Sequence, residues 1–343
     1  MSRPAEGAPE TAAPETGAPQ TAPPETVGTQ APPPAAAPDR GAIVTGTRSA
    51  FATELAFALE VAARAGELVM GGYERDQRIR HKGARDIVTE IDGASERLII
   101  DAIRSAFPGD AILAEETGAH AGAPSDPAPA DRLQDGSAPS ARSVPARRVW
   151  VVDPLDGTIN FANGIPFFCV SIGLVVDGRP SVGVVLDPVR GEPFAATVDG
   201  PATLVGRPIA CSTKERLADV VIALSLSGRA ATRRARAVRR QVRSARTLGA
   251  AALEIAYVGR GRFDAFAVSA GMSAWDVAAA GLIAERAGAV VTSPTGGPWL
   301  DLAAASRSVG LLAAPAAHHA TLLELIREPA SMGRAPANAR PGA

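Results

Sequence analysis

The amino-acid sequence predicts a layered fold of the α/β or α+β class, in which blocks of helices alternate with blocks of antiparallel strands. Two observations support this class. Long stretches carry apolar residues at helical spacing, and between them run apolar segments broken by Asp177-Gly178 and Arg190-Gly191, pairs that are typical of turns between strands. A simple doubly wound parallel sheet would alternate one strand with one helix throughout, and this order of segments does not.

The first half of the pattern begins with a helix over residues 51–73, where apolar side chains recur at helical spacing. A second helical pattern covers residues 98–107 and stops at a Pro-Gly pair. Residues 111–114 (AILA) predict a short buried strand. Residues 148–152 predict a further strand, and it leads directly into a group of acidic residues.

The second half contains the antiparallel sheet and further helices. Apolar runs over residues 167–198 predict successive strands joined by tight turns. Helical spacing predicts helices at residues 231–243, 250–258 and 277–287. Helices therefore precede and follow the predicted sheet, as expected for stacked layers.

Three segments have the composition of disordered chain. Residues 1–45 are dominated by Pro, Ala and Thr, and they contain too few aromatic and branched apolar residues to offset the entropy of ordering. Residues 118–147 have a similar composition and predict a long surface loop inserted into a domain formed by residues 46–330. Residues 331–343 predict a second disordered tail.

Charge and cysteine content limit the classes of partner and compartment. The formal net charge is -1, which gives no electrostatic reason to expect nucleic acid or an anionic membrane as a partner. Cys169 and Cys211 lie far apart, which argues against a disulfide framework or a thiolate zinc site. No apolar run reaches the roughly 18 residues needed to span a bilayer, and the N-terminus has no apolar signal-peptide core. We therefore expect a cytoplasmic protein.

The most informative segment is residues 153–161 (DPLDGTINF), which follows an apolar strand. On a regular strand Asp153 and Asp156 would point to opposite faces, but Pro154 can break the strand and let both carboxylates converge. Converging carboxylate oxygens are suited to Mg²⁺, and the freed carbonyl of Leu155 could add another ligand.

The turn that follows is a candidate phosphate site. Gly157 and Thr158 open a turn or short helix whose unpaired amides can donate hydrogen bonds to phosphate oxygens. The alternative interpretation is that Asp-Pro and Asp-Gly pairs are common in turns and have no further role. This segment alone does not decide between the two.

Three further acidic sites favour a metal cluster. They are the stretch 86–92 (DIVTEID), the pair Glu115-Glu116 directly after the AILA strand, and Asp276 immediately before an apolar helix. Each has a structural alternative, such as a turn, a charged strand end or, for Asp276, a helix N-cap. Together they place carboxylates at the ends of several core elements, which is how a metal site is assembled.

These segments, in this order, resemble the signature motifs of the inositol monophosphatase family. The resemblance rests on residues 86–92, 114–118 (AEETG), 153–161 and 274–278 (AWDVA), and residues 246–253 (RTLGAAAL) resemble the region ahead of the last motif. It implies the αβαβα sandwich shared with fructose-1,6-bisphosphatase. It also implies lithium-sensitive, Mg²⁺-dependent hydrolysis of small phosphate monoesters, usually by a homodimer.

The resemblance implies ligands for two magnesium ions. One ion would be held by Glu115, Asp153 and the Leu155 carbonyl, and the other by Asp153, Asp156 and Asp276. A third, weaker ion would lie near Glu115 through water, which gives this residue a part in catalysis. Asp156 would also border the bound substrate.

The same resemblance implies the remaining roles. Thr158 and Asp92 would orient and deprotonate the attacking water, with Glu116 and Asp86 in support. The amides of Gly157 and Thr158 would hold the phosphate. Such a reaction needs no Ser, Cys or His nucleophile, because metal ions neutralise phosphate oxygens and lower the pKa of water.

Two features depart from the family pattern and leave the substrate open. Inositol-specific members have a glutamate ahead of the last motif, whereas residues 266–273 (FAVSAGMS) contain no acid. Residues 233–243 are rich in arginine. These arginines form either a solvated helix face or a rim that attracts a multiply anionic substrate. Histidinol phosphate, fructose bisphosphate and a nucleotide 3′-phosphate are therefore alternative substrates.

A function of another class is also open, namely a regulatory binding protein that keeps the fold and acts through its tail or its arginine-rich helix. The gathered acidic residues argue against it, because a pure scaffold has no need of so many carboxylates in one place.

Overall fold

The computed structural model describes residues 49–75, 80–83, 86–122, 147–304 and 306–328, with the backbone alone for residues 80–83, 86 and 87. The predicted disordered tails, residues 1–45 and 331–343, and residues 123–146 of the predicted loop lie outside this part of the chain. No helix within it is long and apolar enough to cross a lipid bilayer.

The first two helices form because their apolar residues share one face. Helix α1, Ala52–Gly72, buries a stripe of alanine and valine side chains. A two-stranded antiparallel ribbon, β1 (Arg80–Gly83) and β2 (Asp86–Val88), leads to helix α2, Glu90–Ala106. Thr89 caps α2 with its side-chain oxygen. Helix α2 begins at Glu90 and not near Leu98 as its apolar pattern predicts, because residues 90–97 are mostly polar.

The larger sheet has eight strands. In chain order they are β3 (Ala111–Ala114), β4 (Gly118–His120), β5 (Arg148–Asp156), β6 (Cys169–Val176), β7 (Arg179–Asp187), β8 (Glu192–Thr197), β9 (Thr203–Leu204) and β10 (Arg207–Pro208). Their order across the sheet is β10-β9-β8-β7-β6-β5-β3-β4. Neighbours are antiparallel except β3 and β5, which are parallel. The predicted antiparallel strands over residues 167–198 are confirmed.

The rest of the described chain forms a second sheet and five more helices. In chain order these elements are α3 (Thr158–Ala162), β11 (Val221–Ser225), α4 (Ala231–Arg239), β12 (Ser244–Arg246), α5 (Ala251–Gly259), β13 (Ala265–Met272), α6 (Ala274–Arg286), β14 (Val290–Thr292), β15 (Val309–Ala314) and α7 (Ala316–Ile326). The sheet order is β12-β11-β13-β15-β14, in which β11 runs parallel to β12 and β13.

Three apolar cores show how these elements stack. Helices α1 and α2 cover one face of the larger sheet, α5 and α6 fill the space between the sheets, and α4 and α7 cover the far face of the smaller sheet. Val184 and Val185 of β7 belong to different cores, because successive side chains of a strand face opposite sides. The predicted αβαβα sandwich is confirmed.

Helix α6 packs unusually close to the larger sheet. A Cβ atom on Gly183 of β7 would lie 2.6 Å from the carbonyl oxygen of Ala279 in α6. A side chain at this position would push the helix away from the sheet. The close approach matters for function, because the first turn of α6 carries Asp276 beside the end of β5.

Two further predicted boundaries are wrong. The helix predicted over residues 231–243 ends at Arg239, because Val242 turns into the outer core and the Arg243 N–H donates to the Val220 carbonyl at 2.9 Å. The loop predicted from Gly118 begins later, because β4 pairs with β3.

Cys169 is buried and Cys211 is partly exposed, and both are free thiols.

Candidate active site

A bulge in β5 brings two aspartates together. Asp153 lies opposite Ser171 of β6 and Asp156 lies opposite Cys169, so three steps along β5 face two steps along β6. The extra residue re-aims the side chains that follow it. Pro154, which has no backbone N–H for the sheet, lies inside this bulge. The strand therefore continues to Asp156 instead of ending at Asp153, and both carboxylates still converge.

Helix α6 supplies a third aspartate. Carboxylate oxygens of Asp153, Asp156 and Asp276 lie within 4.8 Å of one another. The N-cap of α6 is Ser273, and its backbone N–H donates to Asp276 Oδ2 at 2.6 Å. Asp276 therefore lies inside the first turn of the helix, and the alternative in which it is the N-cap is wrong.

Glu115 extends this acidic cluster. It directly follows β3, and its carboxyl group is hydrogen-bonded to that of Asp153. A cavity of about 630 Å³ is lined by Glu115, by the three aspartates and by Leu155. The structure thus gathers in one place every residue that the sequence predicted as a metal ligand.

Burial and mutual repulsion disfavour ionisation of these carboxyl groups. Asp153 is 2% exposed, and burial, followed by the charges of Glu115 and Asp156, raises its pKa well above the ordinary value. Burial also raises the pKa of Asp156 to about 7, although the Ala252 N–H donates to it at 2.7 Å and opposes the shift. A divalent cation bound to these oxygens would favour the ionised forms. The donor set, all oxygen, therefore fits a hard cation such as Mg²⁺.

Asp92 and Thr158 form a hydrogen-bonded pair beside the cluster. The Thr158 hydroxyl lies 2.8 Å from Asp92 Oδ1 and 3.0 Å from the Leu155 carbonyl oxygen. The other oxygen of Asp92 accepts both the backbone N–H and the hydroxyl of Thr89. Burial raises the pKa of Asp92, and these hydrogen bonds partly offset the rise. A carboxylate held in this way can orient a water molecule and accept its proton through Thr158.

Gly157 holds the backbone between the aspartates and Thr158 in a left-handed turn. Its φ angle is 92°. A Cβ atom here would lie 3.0 Å from Ala250 Cβ and 3.1 Å from the Phe167 carbonyl oxygen, so glycine suits both the backbone and the space. Gly157 and Thr158 line the cavity at the start of α3, where backbone amides are placed to donate to an anion.

Comparison with known proteins gives a family for this arrangement. A model of the inositol monophosphatase family matches residues 52–330. The chain belongs to the inositol monophosphatase family. "Inositol monophosphatase 2" of Solanum lycopersicum is 37% identical over 254 residues, which cover 72% of this chain and 89% of that protein. "Nus factor SuhB" of Pseudomonas aeruginosa is 38% identical over 252 residues, which cover 71% of this chain and 86% of that protein.

Solved inositol monophosphatases share the fold. The structure of Thermotoga maritima IMPase superimposes with a TM-score of 0.66 and 31% identity, and the match covers 80% of this chain and 96% of that chain. Membership of the inositol monophosphatase family supports a phosphatase activity, and the family is generally metal-dependent. The acidic cluster is where this chain could bind the metal.

Two residues with predicted supporting roles lie apart from the cluster or outside the described side chains. Glu116 is not among the residues that line the cavity, and its backbone N–H donates to Glu96 Oε2 at 2.7 Å. This bond joins the turn after β3 to α2, the helix that carries Asp92. Asp86 lies in β2, and its side chain is outside the described part of the molecule.

Sequence reasoning missed two residues that line the cavity. Glu254 of α5 is 4% exposed, and burial raises its pKa to about 7, although backbone hydrogen bonds, including one from the Leu248 N–H, oppose the shift. A lone acid within the apolar stretch of α5 was a signal available in the sequence. Arg307, between β14 and β15, also lines the cavity, and no motif marks it.

Proposed function

We propose that this chain is a Mg²⁺-dependent phosphatase that hydrolyses a small phosphate monoester by direct attack of water. One observation carries the proposal: carboxylate oxygens of Asp153, Asp156 and Asp276 converge within 4.8 Å. The hydrogen-bonded pair of Asp92 and Thr158 lies beside them. Magnesium is the proposed ion because the available ligands are hard oxygens, with no thiolate or imidazole among the lining residues of the described chain.

The proposed ligand sets share one aspartate. Glu115, Asp153 and the Leu155 carbonyl would hold one ion, and Asp153, Asp156 and Asp276 would hold the other. Bound magnesium would neutralise phosphate oxygens, lower the pKa of the attacking water and stabilise the departing alkoxide. Because Asp153 belongs to both proposed ligand sets and is almost fully buried, its charge is the one whose loss should harm the site most.

Groups of the chain itself accept the proton of the attacking water and bind the phosphate. The Thr158 hydroxyl donates a hydrogen bond to Asp92 and can accept a hydrogen bond from the attacking water. Asp92 therefore serves as the base through Thr158. Its raised pKa makes Asp92 a stronger base than an exposed aspartate. The amides of Gly157 and Thr158 donate to a phosphoryl oxygen and fix the phosphate for attack.

A substitution at Asp153 tests the metal assignment. Asp153→Asn removes the shared charge at nearly constant volume, and we expect phosphate release to fall by about 100-fold or more, since even indirect metal contacts can be worth that much. Asp101→Asn, the same change at an exposed position of α2, should leave turnover unchanged. Full turnover by Asp153→Asn would show that the ligand assignment is wrong.

The substrate is identified by measuring phosphate release from a panel of phosphate esters at a fixed Mg²⁺ concentration. Inositol 1-phosphate, histidinol phosphate, fructose 1,6-bisphosphate and adenosine 3′-phosphate differ in the leaving group, and the wall that faces it contains Ala270, Gly271 and Met272 but no acid from β13. We expect release of phosphate from at least one of them. A homodimer and a cytoplasmic location belong to the same proposal, and light scattering on the purified chain tests the first.

A second candidate, a regulatory binding protein, is favoured by the surface of α4. Buried Arg234 donates to the carbonyls of Ser227, Arg229 and Ile326 and so fixes this helix. The exposed arginines around it are Arg229, Arg233, Arg236, Arg239, Arg240 and Arg243. The sequence has no acid between Asp219 and Glu254. Asp219 pairs with Arg243 and Glu328 pairs with Arg234, and the exposed arginines outnumber these two acids, so this surface is basic although the net charge of the chain is -1.

Some relatives carry the name "Nus factor SuhB" and not that of a phosphatase. RNA is the anionic probe for the arginine-rich surface, because arginines bind a polyanion by neutralising its phosphates. Binding of a short RNA is measured by fluorescence anisotropy against salt concentration, with wild type and an Arg236→Gln/Arg240→Gln variant. If α4 binds RNA, the variant should bind more weakly and with a smaller salt slope. Equal binding by the two proteins, or none by either, would count against this candidate.

A further inference from the structure

Arg307 lies on the wall of the candidate active site, in the segment that connects β14 and β15. Among the described residues that line the cavity it is the single basic one, and it is exposed. The acids that line the same cavity are Glu115, Asp153, Asp156, Glu254 and Asp276. A cation at the rim of an acidic cavity changes which substrates can be held there.

The backbone of Arg307 is fixed against the helix that carries Asp276. Its φ angle is 62°, a left-handed conformation that is uncommon for a residue with a side chain and persists only where neighbouring contacts fix it. The Arg307 N–H donates to Ser273 Oγ at 3.0 Å, and the Ser306 hydroxyl lies 3.0 Å from the same atom. The Ser273 N–H in turn donates to Asp276 Oδ2 at 2.6 Å. Ser273 therefore ties Arg307 to the acidic cluster.

In the proposed reaction, Arg307 would lie on the leaving-group side of the cavity. In the proposed reaction, the transferred phosphoryl group lies between the acidic cluster and Gly157. The rest of the substrate then extends along the remaining wall, which includes Ser225, Ala270, Met272 and Arg307. The first three are uncharged, so the arginine provides the charge on this wall.

We propose that Arg307 is a specificity-determining residue that binds a second phosphate group on the leaving portion of the substrate. This rests on the proposed function and narrows its substrate class to bisphosphates of a sugar or nucleoside. A guanidinium group donates paired hydrogen bonds to phosphate oxygens and stays charged at any working pH. Without it, the described residues that line the cavity would offer a second phosphate no cationic side chain.

The test measures binding of two matched pairs of ligands that differ by one phosphate. The pairs are fructose 1-phosphate with fructose 1,6-bisphosphate, and adenosine 3′-phosphate with adenosine 3′,5′-bisphosphate. Calorimetry is done with Mg²⁺ and the full chain carrying Asp92→Asn, which is expected to stop turnover and preserve the ligands. Activity is not needed as a readout, so binding at the rim is measured separately from chemistry.

Three variants are added to this Asp92→Asn parent. Arg307→Gln removes the charge but keeps a similar side-chain length. Arg307→Lys keeps the charge and loses the paired donors, and it carries the test if the glutamine variant does not fold. Arg207→Gln removes the same charge from an exposed position in β10, far along the larger sheet, and serves as the matched control.

We expect the parent to bind the bisphosphate of at least one pair about 10-fold more tightly than the monophosphate, or about 1.4 kcal/mol. Arg307→Gln should abolish this preference and leave monophosphate affinity unchanged, Arg307→Lys should keep part of it, and Arg207→Gln should keep all of it. A preference that survives Arg307→Gln would overturn the proposal. If the parent binds the two members of each pair equally well, the role of Arg307 is wrong but the proposed function stands. If the parent binds none of the four ligands, both the role of Arg307 and the proposed function are wrong.

Discussion

The acidic wall of the cavity, formed by Glu115, Asp153, Asp156, Glu254 and Asp276, and the wall that carries Arg307 are assembled in different ways. The acids are placed by local backbone features, such as the bulge at Pro154 and the first turn of α6 at Asp276. The wall that carries Arg307 also includes Ser225 and Ala270. These residues come from β11, β13 and the segment before β15, and they meet only because the strands are neighbours in the smaller sheet. The reaction chemistry and the substrate preference therefore depend on separate parts of the molecule.

The largest effect is expected from removing the hydroxyl that links the attacking water to Asp92. Thr158→Val keeps the side-chain shape and removes the hydroxyl that lies 2.8 Å from Asp92, so kcat should fall by about 10²- to 10⁴-fold with little change in KM. Steady-state kinetics on the best substrate measures this. Thr213→Val, at an exposed position, is the control. A kcat within threefold of wild type would remove Thr158 from the mechanism.

The charge of the acidic wall should appear as a pH dependence of stability. Folding raises the pKa of Glu254 from 4.5 to about 7 and that of Asp156 from 3.8 to about 7, so the folded state binds more protons than the unfolded state between these values. The stability that this protonation contributes is present below about pH 4 and is lost as the pH rises to about 7. For Glu254 the loss is about 3 kcal/mol.

Urea unfolding of the metal-free chain at pH 5 and pH 8 measures this loss. Glu254→Gln should flatten the dependence, and Mg²⁺ should restore stability mainly at pH 8, because it binds the ionised carboxylates. Identical pH dependence in the wild type and in Glu254→Gln, with no effect of Mg²⁺ at pH 8, would contradict the assignment of buried charge to this wall.

A glycine substitution separates backbone conformation from close packing within the acidic wall. Gly157→Ala introduces both a left-handed alanine and a Cβ atom 3.0 Å from that of Ala250. Gly178→Ala, at φ 77° with nothing within 4 Å, introduces the backbone strain alone. We expect Gly178→Ala to lower the free energy of unfolding by about 1 kcal/mol and Gly157→Ala to lower it by about 2–3 kcal/mol. Equal losses would show that Ala250 moves aside freely.

The smallest expected effect concerns the residue that joins the two walls. Ser273→Ala removes the oxygen that accepts the Arg307 N–H, and it should lower stability by about 1 kcal/mol. The backbone N–H of residue 273 still donates to Asp276, so turnover of a simple monoester should change by less than about threefold. Chemical denaturation and kinetics on the same preparation check both values. A large loss of monoester turnover would mean that the two walls are not independent.

The difference between the walls also explains which site residues the sequence could predict. Asp153 and Asp156 are marked by Asp-Pro and Asp-Gly pairs within four positions of each other, so local chemistry alone suggests convergence. No turn-forming pair of residues marks Arg307 in the sequence. Its position in the cavity depends on how β13 and β15 pair, which the sequence around it does not reveal. Glu254 lies between these cases, because an acid in an apolar helix is visible in the sequence but its orientation is not.

The fold shows the same limit. Periodicity located α1, α4, α5, α6 and the later part of α2, together with the antiparallel strands over residues 167–198, because side-chain spacing follows directly from backbone geometry. It did not locate α7 or the strands of the smaller sheet. It did not predict that Gly118–His120 forms an edge strand, since such a short polar segment becomes a strand only through pairing with β3. It also missed the end of α4 at Arg239, which is set by tertiary packing of Val242.

Anomalous diffraction from crystals of the full chain soaked in Mn²⁺ would locate the metal ions, because Mn²⁺ accepts the same oxygen ligands as Mg²⁺. We expect two peaks that share Asp153, one beside Glu115 and the other between Asp156 and Asp276, with both weakened in Asp153→Asn. Crystals that bind Mn²⁺ elsewhere, with no peak among these four carboxylates, would contradict the metal-dependent mechanism.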